Sequence, residues 1–266
     1  MSAAIESVDA TARTGRLRQF GMRFASVIAF AVVLLFWELC CRLLKIPPYV
    51  LPPPSAIVGA VGELMPARWG EHLLATLEVA LLGYLLAIAL AIPLAIGITR
   101  SELLSRILLP WLVVVQSTPI VAIAPIIVVT MGAGLLPRVV ITTLIAFFPM
   151  VISTATGLAS VPAELIELSR SLRATPGREY RQIRLPYAIP HIFAALKIAI
   201  TLSVVGAVVA EFVAAERGLG YLILFTTSTF KIPVAFASLI LLVACSLLLF
   251  ALVSWLQRRL FPWSLR

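Results

Sequence analysis

Charged residues are scarce in this sequence. Asp, Glu, Lys and Arg together make up 12% of the 266 residues, whereas soluble domains carry about 25%. Hydrophobic residues make up 61%, so too few polar side chains are present to cover a soluble fold of this length. This shortage excludes a water-soluble protein and predicts a single integral membrane domain.

Cysteine and histidine are also rare. Cys40, Cys41 and Cys245 lie in apolar stretches without a CxxC spacing. The two histidines, His72 and His191, lie in different segments. These positions offer neither a disulfide framework nor the clustered ligands of a metal site. We therefore expect no metal or cofactor to bind this chain.

Motifs for nucleotide binding and catalysis are lacking as well. The chain has no G-x-x-x-x-G-K-[ST] stretch, so nothing in it is suited to cradle the phosphates of a nucleotide. It also has no convergent set of acid, base or metal-ligating residues, which a membrane enzyme would require. We therefore expect a protein that is not an enzyme.

The formal net charge is nevertheless +9. In a soluble protein this excess would suggest nucleic acid as a partner, but aromatic and basic residues are not interleaved here. Basic residues flank membrane spans on the cytoplasmic side, which accounts for the charge without a nucleic-acid surface. The charge therefore indicates orientation in the bilayer.

Six long apolar segments are present, each near the ~20 residues that a helix needs to cross the hydrocarbon core. They are continuous rather than alternating, which favours helices over a β-barrel. The predicted fold class is an all-α integral membrane protein with six transmembrane helices. The predicted spans are Phe24–Leu44, Leu73–Ile98, Ile107–Met131, Val139–Leu158, Ile189–Ala210 and Val234–Leu256.

The loops between these spans differ in basic content. Most arginines lie in the two tails and in the loops that share their side, so both termini are predicted to be cytoplasmic. The predicted division is a cytoplasmic tail at 1–23, a first transmembrane helix at 24–46, an outer proline-rich loop and short helix at 47–72, a membrane core at 73–258 with a cytoplasmic loop at 161–188, and a cytoplasmic tail at 259–266.

The predicted outer loop begins with a proline-rich stretch, Pro47–Pro54. It should be stiff and extended, because proline fixes φ and removes a hydrogen-bond donor. Ser55 follows and is expected to cap a short helix that runs to about Met65. Pro66 is expected to end that helix.

The cytoplasmic loop 161–188 is predicted to begin with an amphipathic helix. Pro162 suits its first turn, and Glu164 and Glu167 suit its positive N-terminal end. The helix should stop before Thr175-Pro176-Gly177. Its apolar face consists of leucines at helical spacing, Leu165, Leu168 and Leu172. Two interpretations fit: a helix that rests on the membrane surface, or a docking helix for a soluble subunit.

The spacing around Glu167 carries a family resemblance. Ile183 follows sixteen residues later, and Leu185-Pro186 completes an Ile-x-Leu-Pro stretch. This arrangement resembles the EAA loop of ABC importer permeases, the membrane subunits of binding-protein-dependent transporters. In that loop Glu-Ala-Ala precedes a glycine and then Ile-x-Leu-Pro.

The loop departs from the family pattern at two places. Leu168 and Ser169 replace the two alanines, and Arg173 replaces the glycine. Because that glycine usually makes a turn, Pro176-Gly177 is expected to supply a displaced turn here.

Further short motifs follow in the order found in permeases of the nitrate/sulfonate/taurine group. They are Pro53-Pro54-Ser55, Gln116-Ser117-Thr118-Pro119, Phe147-Phe148-Pro149, Glu211-Phe212-Val213-Ala214 and Gly218-Leu219-Gly220-Tyr221-Leu222-Ile223. Ala146-Phe147-Phe148-Pro149 and the closing Phe261-Pro262-Trp263 are most similar to permeases for riboflavin or the thiamine pyrimidine precursor.

The resemblance implies a type I ABC importer permease fold in the bacterial inner membrane. It implies two permease copies, expected to form a homodimer, with two ATP-binding cassette subunits and an extracytoplasmic binding protein. ATP and Mg would be bound by the partner ATPase. The resemblance also implies that one helix couples to this ATPase, with contacts from Glu164, Glu167, Leu168, Arg170, Leu172 and Arg173.

Polar groups within the spans are the remaining candidates, because such groups are costly in lipid and usually face protein or water. Gln116, Ser117 and Thr118 precede a proline. They predict either a kink satisfied by neighbouring helices or a substrate contact near the midplane. Glu211 is expected to line the pathway or to hold an outer gate through a hydrogen bond.

The segment after Glu211 is predicted to face outward. Glu216 and Arg217 are candidates for contact with the binding protein. Gly218 and Gly220 allow a tight turn, which would lead a re-entrant piece at 222–230 that closes the outer mouth.

The leading function is therefore an importer permease for a small organic solute, a pyrimidine or a riboflavin-like vitamin precursor, since the spans carry few charges. Sulfonate, taurine or nitrate stays open as cargo within the same class. A different class, an ion-coupled secondary transporter, predicts buried acidic or histidine relays and internal repeats. The sequence offers few such residues and no evident repeat.

Overall fold

The computed structural model describes residue 25 and residues 27–265, with the backbone alone for Leu265. The predicted N-terminal tail, residues 1–23, lies outside them, as do residues 24 and 26 of the first predicted span. The described residues form helices joined by turns and short loops, and contain no strand. The predicted all-α fold class is confirmed.

The helices are numbered in chain order. They are α1 (27–43), α2 (Pro54–Ala60), α3 (Pro66–Arg100), α4 (Glu102–Gln116), α5 (Ile120–Met131), α6 (Leu135–Ala159), α7 (Ala163–Ser171), α8 (Pro176–Glu179), α9 (Leu185–Ala214), α10 (Leu219–Ser228) and α11 (Ile232–Leu260). A π-helix at Tyr180–Arg184 joins α8 to α9, and 3-10 turns at Val61–Glu63 and Pro262–Leu265 follow α2 and α11.

Within the described residues, four helices are long and apolar enough to cross a membrane: α3, α6, α11 and the continuous helix from α8 through α9. α4 and α5 reach that length together but meet at 92°, so they add a fifth span if the bent pair crosses as one. The bend lies at Pro119, whose missing amide hydrogen cannot continue the hydrogen-bond ladder of α4. Since α1 is described only from residue 27, the count of six spans stays a prediction.

The chain divides into two compact units. One contains the described residues up to Glu63 together with Phe230–Ala237, and the other contains Leu64–Thr229 and the chain from Ser238 onward. In the first unit the Glu38 carboxylate on α1 accepts hydrogen bonds from the Ser55 amide at 3.0 Å and the Ser55 hydroxyl at 2.8 Å. These bonds attach the start of α2 to α1.

Two predictions about this region are wrong. Ser55 does not cap α2, because the helix already begins at Pro54 and the Ser55 side chain is bonded to Glu38 instead. Pro66 does not end a helix either. It is the first residue of α3, since a helix's first turn needs no amide hydrogen from that position.

The core of the larger unit lies where α3, α6 and α9 pack against one another. Small residues face this contact at regular spacing: Ala87, Ala91, Ala95, Ala146, Ala195 and Ala199 are all buried. Alanine lets helix backbones approach closely, which supplies the van der Waals contact that holds helices together in lipid.

Thr142 on α6 marks the closest approach of the three helices. A Cβ added at Gly83 on α3 would lie 2.6 Å from the Thr142 Cβ, and one added at Gly206 on α9 would lie 2.9 Å from the Thr142 Cα. Both glycines are therefore required by packing. The Thr142 hydroxyl donates to the Arg138 carbonyl oxygen at 2.9 Å, so no polar group is left unpaired on this side chain.

Contacts between elements define the two ends of this unit. At one end the beginning of α3 meets the Gly218–Gly220 segment, since the Gly218 amide donates to the His72 Nδ1. We call that segment the glycine loop. At the other end the last turn of α3 meets the π-helix, since the Thr99 hydroxyl bonds the Tyr180 hydroxyl. We call this the α7 end.

Candidate functional sites

The helix α7 follows α6 and precedes α8 in the chain. Pro162 occupies its N-cap, Glu164 lies in its first turn and Arg170 in its last turn. This charge order suits the helix dipole, which favours acidic side chains at the N-terminus and basic ones at the C-terminus. The predicted helix is therefore present, although Pro162 is its N-cap rather than part of its first turn and the helix ends at Ser171, before Arg173.

The two faces of α7 differ in burial. Ile166 and Ser169 face the rest of the chain and are buried. The predicted leucine face points the other way, with exposed fractions of 40% at Leu165, 56% at Leu168 and 74% at Leu172. Exposed leucines at neighbouring positions mark a surface that a membrane or a partner covers. Glu164, Glu167, Arg170 and Arg173 are exposed around the same helix.

The turn that ends α7 is made by Arg173, which has a φ of +53°. The Ala174 amide donates to the Ser169 carbonyl oxygen at 3.0 Å, and the Arg173 amide donates to the Arg170 carbonyl oxygen at 2.9 Å. These two bonds form a Schellman motif, whose left-handed position usually holds glycine.

The displaced turn predicted at Pro176-Gly177 is therefore wrong. Both residues lie in α8, where Pro176 occupies the first turn and suits a helix start. The chain keeps its turn at Arg173 because two backbone hydrogen bonds offset the cost of the left-handed conformation.

The glycine loop is held by three successive backbone amides. The Gly218 amide donates to the His72 Nδ1 at 3.2 Å, and the Leu219 amide to the Thr76 hydroxyl at 2.8 Å. The Gly220 amide donates to the Glu211 Oε2 at 2.7 Å. The first amides of a helix have no partner within it, so these side chains of α3 and α9 satisfy the start of α10.

Glu211 is enclosed by this loop and has an exposed fraction of 1%. A Cβ added at Gly218 would overlap the Glu211 carboxyl group, and Gly218 also has a φ of +126°. The Oε1 of Glu211 is buried without a hydrogen-bond partner among the described residues. The Glu211 carboxylate is thus bonded to the glycine loop, while both roles predicted for it, at the pathway or at an outer gate, stay predictions.

His72 and Thr76 were not predicted as functional residues. They are four residues apart on α3, so they share one face, and Thr76 also donates to the His72 carbonyl oxygen at 3.2 Å. His72 therefore faces the glycine loop with Nδ1 as an acceptor. The i, i+4 spacing of two polar residues at the start of a span was the signal available in the sequence.

The remaining predicted residues lie in two other regions, the bend between α4 and α5 and the segment before the glycine loop. Gln116, Ser117 and Thr118 are exposed at the bend between α4 and α5. The Ser117 hydroxyl donates to the Val113 carbonyl oxygen at 2.8 Å, which leaves it no need of a further partner. No hydrogen bond of the described residues joins this bend to Glu211. Glu216 and Arg217 are exposed directly before the glycine loop.

Comparisons with known proteins agree on one family. A family model described as "Binding-protein-dependent transport system inner membrane component" matches residues 80–264. A probable ABC transporter permease protein of Haemophilus influenzae is 33% identical, over 90% of this chain and 96% of its own length.

Two further relatives have names that specify a cargo. The formylaminopyrimidine transport permease protein ThiX of Halalkalibacterium halodurans is 33% identical, over 88% of this chain and 93% of its own length. The riboflavin transport system permease protein RibX of Chloroflexus aurantiacus is 34% identical, over 89% of each chain.

Among solved structures, a chain of the MetNI methionine ABC transporter in an inward-facing conformation has a similar fold. It aligns with a TM-score of 0.61 at 22% identity, and covers 71% of this chain and 94% of that one. At this identity the likeness concerns the fold alone.

We expect Arg173→Gly to stabilise the end of α7. Relief of the left-handed conformation, about 1–2 kcal/mol, outweighs the extra chain entropy of glycine, about 0.5–1 kcal/mol. Slower hydrogen exchange of the amides at 169–174 would report this gain. The matched control is Arg178→Gly, the same change in the helical conformation of α8, which should cost about 1 kcal/mol. Faster exchange in both variants would contradict the assignment of the turn.

We expect Gly218→Ala to destabilise the protein by about 2–4 kcal/mol, because the new Cβ meets Glu211 and the positive φ disfavours alanine. Thr76→Val should cost about 1–3 kcal/mol, since it leaves the Leu219 amide unpaired. Thermal unfolding in detergent measures both losses. Gly134→Ala is the control, because a Cβ there meets nothing within 4 Å. Equal midpoints for the three variants would show that the loop is not held as described.

Proposed function

Because the chain belongs to the inner membrane components of binding-protein-dependent transport systems, and is an ABC importer permease subunit, we propose that its cargo is a small planar heterocycle. The chemical class is a pyrimidine or a riboflavin-like vitamin precursor. The observation that carries this proposal is the similarity to ThiX and RibX over almost nine-tenths of the chain. The scarcity of charge in the predicted spans supports it, since a neutral heterocycle needs no cationic pathway.

The transporter is proposed to contain three kinds of component. Two copies of this chain form the membrane path as a homodimer, and two separate ATPase subunits bind ATP and Mg. An extracytoplasmic binding protein delivers the cargo. The lack of a phosphate-binding motif in this sequence supports a separate ATPase.

In this proposal α7 is the coupling helix and lies in the cytoplasm with both termini. Its exposed leucines, Leu165, Leu168 and Leu172, supply the apolar area that enters a groove on the ATPase. Full burial of an exposed leucine contributes about 1.5–3 kcal/mol, and each of these partly exposed leucines contributes a share of that. Glu164, Glu167, Arg170 and Arg173 set the orientation of the helix, because charges select partners and register more than they add affinity.

The glycine loop then lies on the outer face and is proposed to act as part of the outer gate. Glu211, His72 and Thr76 hold it closed through its three amides. Glu216 and Arg217, which are exposed beside it, are proposed to contact the binding protein. Gln116, Ser117 and Thr118 at the bend of α4 and α5 are proposed to line the cargo pathway.

We predict that Glu167→Lys abolishes ATP-dependent uptake in vesicles that contain the assembled transporter. A reversed charge in a docked interface meets like charge, which costs several kcal/mol and is enough to prevent docking. Insertion into the membrane should be normal, because Glu167 is exposed and its reversal disturbs no core packing.

The matched control is Glu102→Lys, which reverses an exposed glutamate whose ion pair within the described residues is with the exposed Arg106 at 2.7 Å. This variant should transport like the unmodified protein, since exposed pairs are worth about 0.2–1 kcal/mol. Full uptake by Glu167→Lys with the ATPase still bound would refute the docking role of α7.

For the cargo we predict that the partner binding protein is stabilised by pyrimidines or flavins in a thermal-shift screen. A ligand at one hundred times its Kd should add about 2.7 kcal/mol to the stability of its receptor. Taurine, an alkyl sulfonate and nitrate are the comparison ligands. Stabilisation by these comparison ligands alone would rule out the heterocycle and leave a sulfonate, taurine or nitrate importer.

A further inference from the structure

A cavity of about 960 Å³ opens at the α7 end of the larger unit. It lies between the last turn of α3, the beginning of α4, the end of α6 and the chain from α7 to the π-helix. Arg100, Arg170 and Arg184 stand around it. Each of these arginines has a partner within the chain.

The carboxylate of Glu179 is the partner of two of them. Its Oε1 lies 2.9 Å from the Arg184 Nε, and its Oε2 lies 4.0 Å from the Arg170 Nε. The Glu179 side chain is 13% exposed, whereas the Arg170 side chain is 72% exposed. One nearly buried carboxylate therefore joins α7 to the end of α8.

Arg184 carries the link onward to α6. Its Nη1 donates to the Leu158 carbonyl oxygen at 3.5 Å, near the end of that helix, and its side chain is 21% exposed. This bond satisfies a carbonyl group that the helix ladder of α6 leaves without a partner.

Tyr180, which directly follows Glu179 in the chain, connects this cluster to α3. Tyr180 is buried, and its hydroxyl bonds the Thr99 hydroxyl in the last turn of α3. The Arg100 guanidinium lies 4.4 Å from the centroid of the Tyr180 ring, a cation–π distance. Glu179 and Tyr180 thus connect α7 with two of the three helices that form the core.

The pair between Glu179 and Arg170 differs from the others because one partner is exposed and the distance is long. In water such a pair is weak. When a protein surface covers Arg170, the local dielectric falls and the same pair strengthens. The contact is therefore one that docking at α7 would tighten, while the contacts of Arg184 and Tyr180 are already buried.

We propose that Glu179 is a positioning residue through which a displacement of α7 is passed to α3 and α6. The inference rests on the proposed docking of α7 to an ATPase. Glu179 touches neither the cargo nor the nucleotide in this account. Docking covers Arg170 and tightens its pair with Glu179. The start of the helix from α8 through α9 then moves together with α7.

The test uses Glu179→Gln in vesicles with the assembled transporter, the binding protein and its cargo. The glutamine keeps the size and hydrogen-bonding capacity of the side chain but removes the charge. We expect the ATPase to bind and to hydrolyse ATP, while cargo carried per ATP falls about 5- to 150-fold, the usual range of coupling between sites. Glu179→Asp, which keeps the charge, should recover a substantial part of the loss.

Two companion variants separate this role from a general structural one. Glu102→Gln removes the exposed pair with Arg106 at the same end and should leave the amount of cargo carried per ATP unchanged. Arg170→Gln should also lower the cargo carried per ATP, and the double variant should be no worse than Glu179→Gln alone, because Arg170 acts on this step through its pair with Glu179.

A second measurement does not depend on cargo. Spin labels at Ala67→Cys, an exposed position at the beginning of α3, in permease copies whose three native cysteines are replaced, report movement at the glycine-loop end when ATP and vanadate trap the ATPase. The labelled protein should show a shift in the distance between labels, and Glu179→Gln should remove the shift although the ATPase stays bound.

The outcomes distinguish the two proposals. The unmodified transporter could show the vanadate-induced shift in the distance between labels but take up no heterocycle. The cargo proposal then fails, and the label distances in Glu179→Gln still decide the role of Glu179. An unchanged shift and ratio in Glu179→Gln overturns the inference. It is equally overturned if Glu179→Gln and Glu179→Asp lose ATPase binding together with thermal stability, because Glu179 would then only maintain the fold.

Discussion

Close packing of α3, α6 and α9 is the constraint on which both candidate sites depend. Between helices in lipid there is no hydrophobic driving force, so association relies on van der Waals contact between closely spaced backbones. Thr142 lies between Gly83 and Gly206, and neither glycine has room for a Cβ. This contact holds the three helices together, and each end of the group carries one of the segments on which function is proposed to depend.

The two ends are held by different physical means. At the glycine loop three backbone amides are bonded to His72, Thr76 and Glu211, all of them buried. Such bonds are costly to break where water does not replace them, so the loop has one well-defined position. At the α7 end the contact of Arg170 with Glu179 is a long ion pair with one exposed partner, whose strength depends on what covers it.

Much of the fold and part of the site were predictable because they depend on local patterns. Long apolar runs indicated the spans, and leucine spacing indicated the exposed face of α7, which the structure contains. Predictions failed where one residue type supports two local structures. Proline ends a helix or begins one, and Pro66 begins α3. Ser55 was expected to cap α2 but bonds Glu38 instead. Arginine disfavours a left-handed turn, yet Arg173 adopts one because two backbone bonds stabilise it.

The sequence by itself determined the membrane class, the all-α fold class, the family and the amphipathic character of α7, because these follow from composition, periodicity and short motifs. Only the tertiary structure decided which side chains complete the sites. His72 and Gly218 are 146 positions apart in the chain, and Thr99 and Tyr180 are 81 apart. No local pattern links such pairs. They meet because α3 packs against α9 in one register, and that register is set by the glycine and alanine contacts of the core.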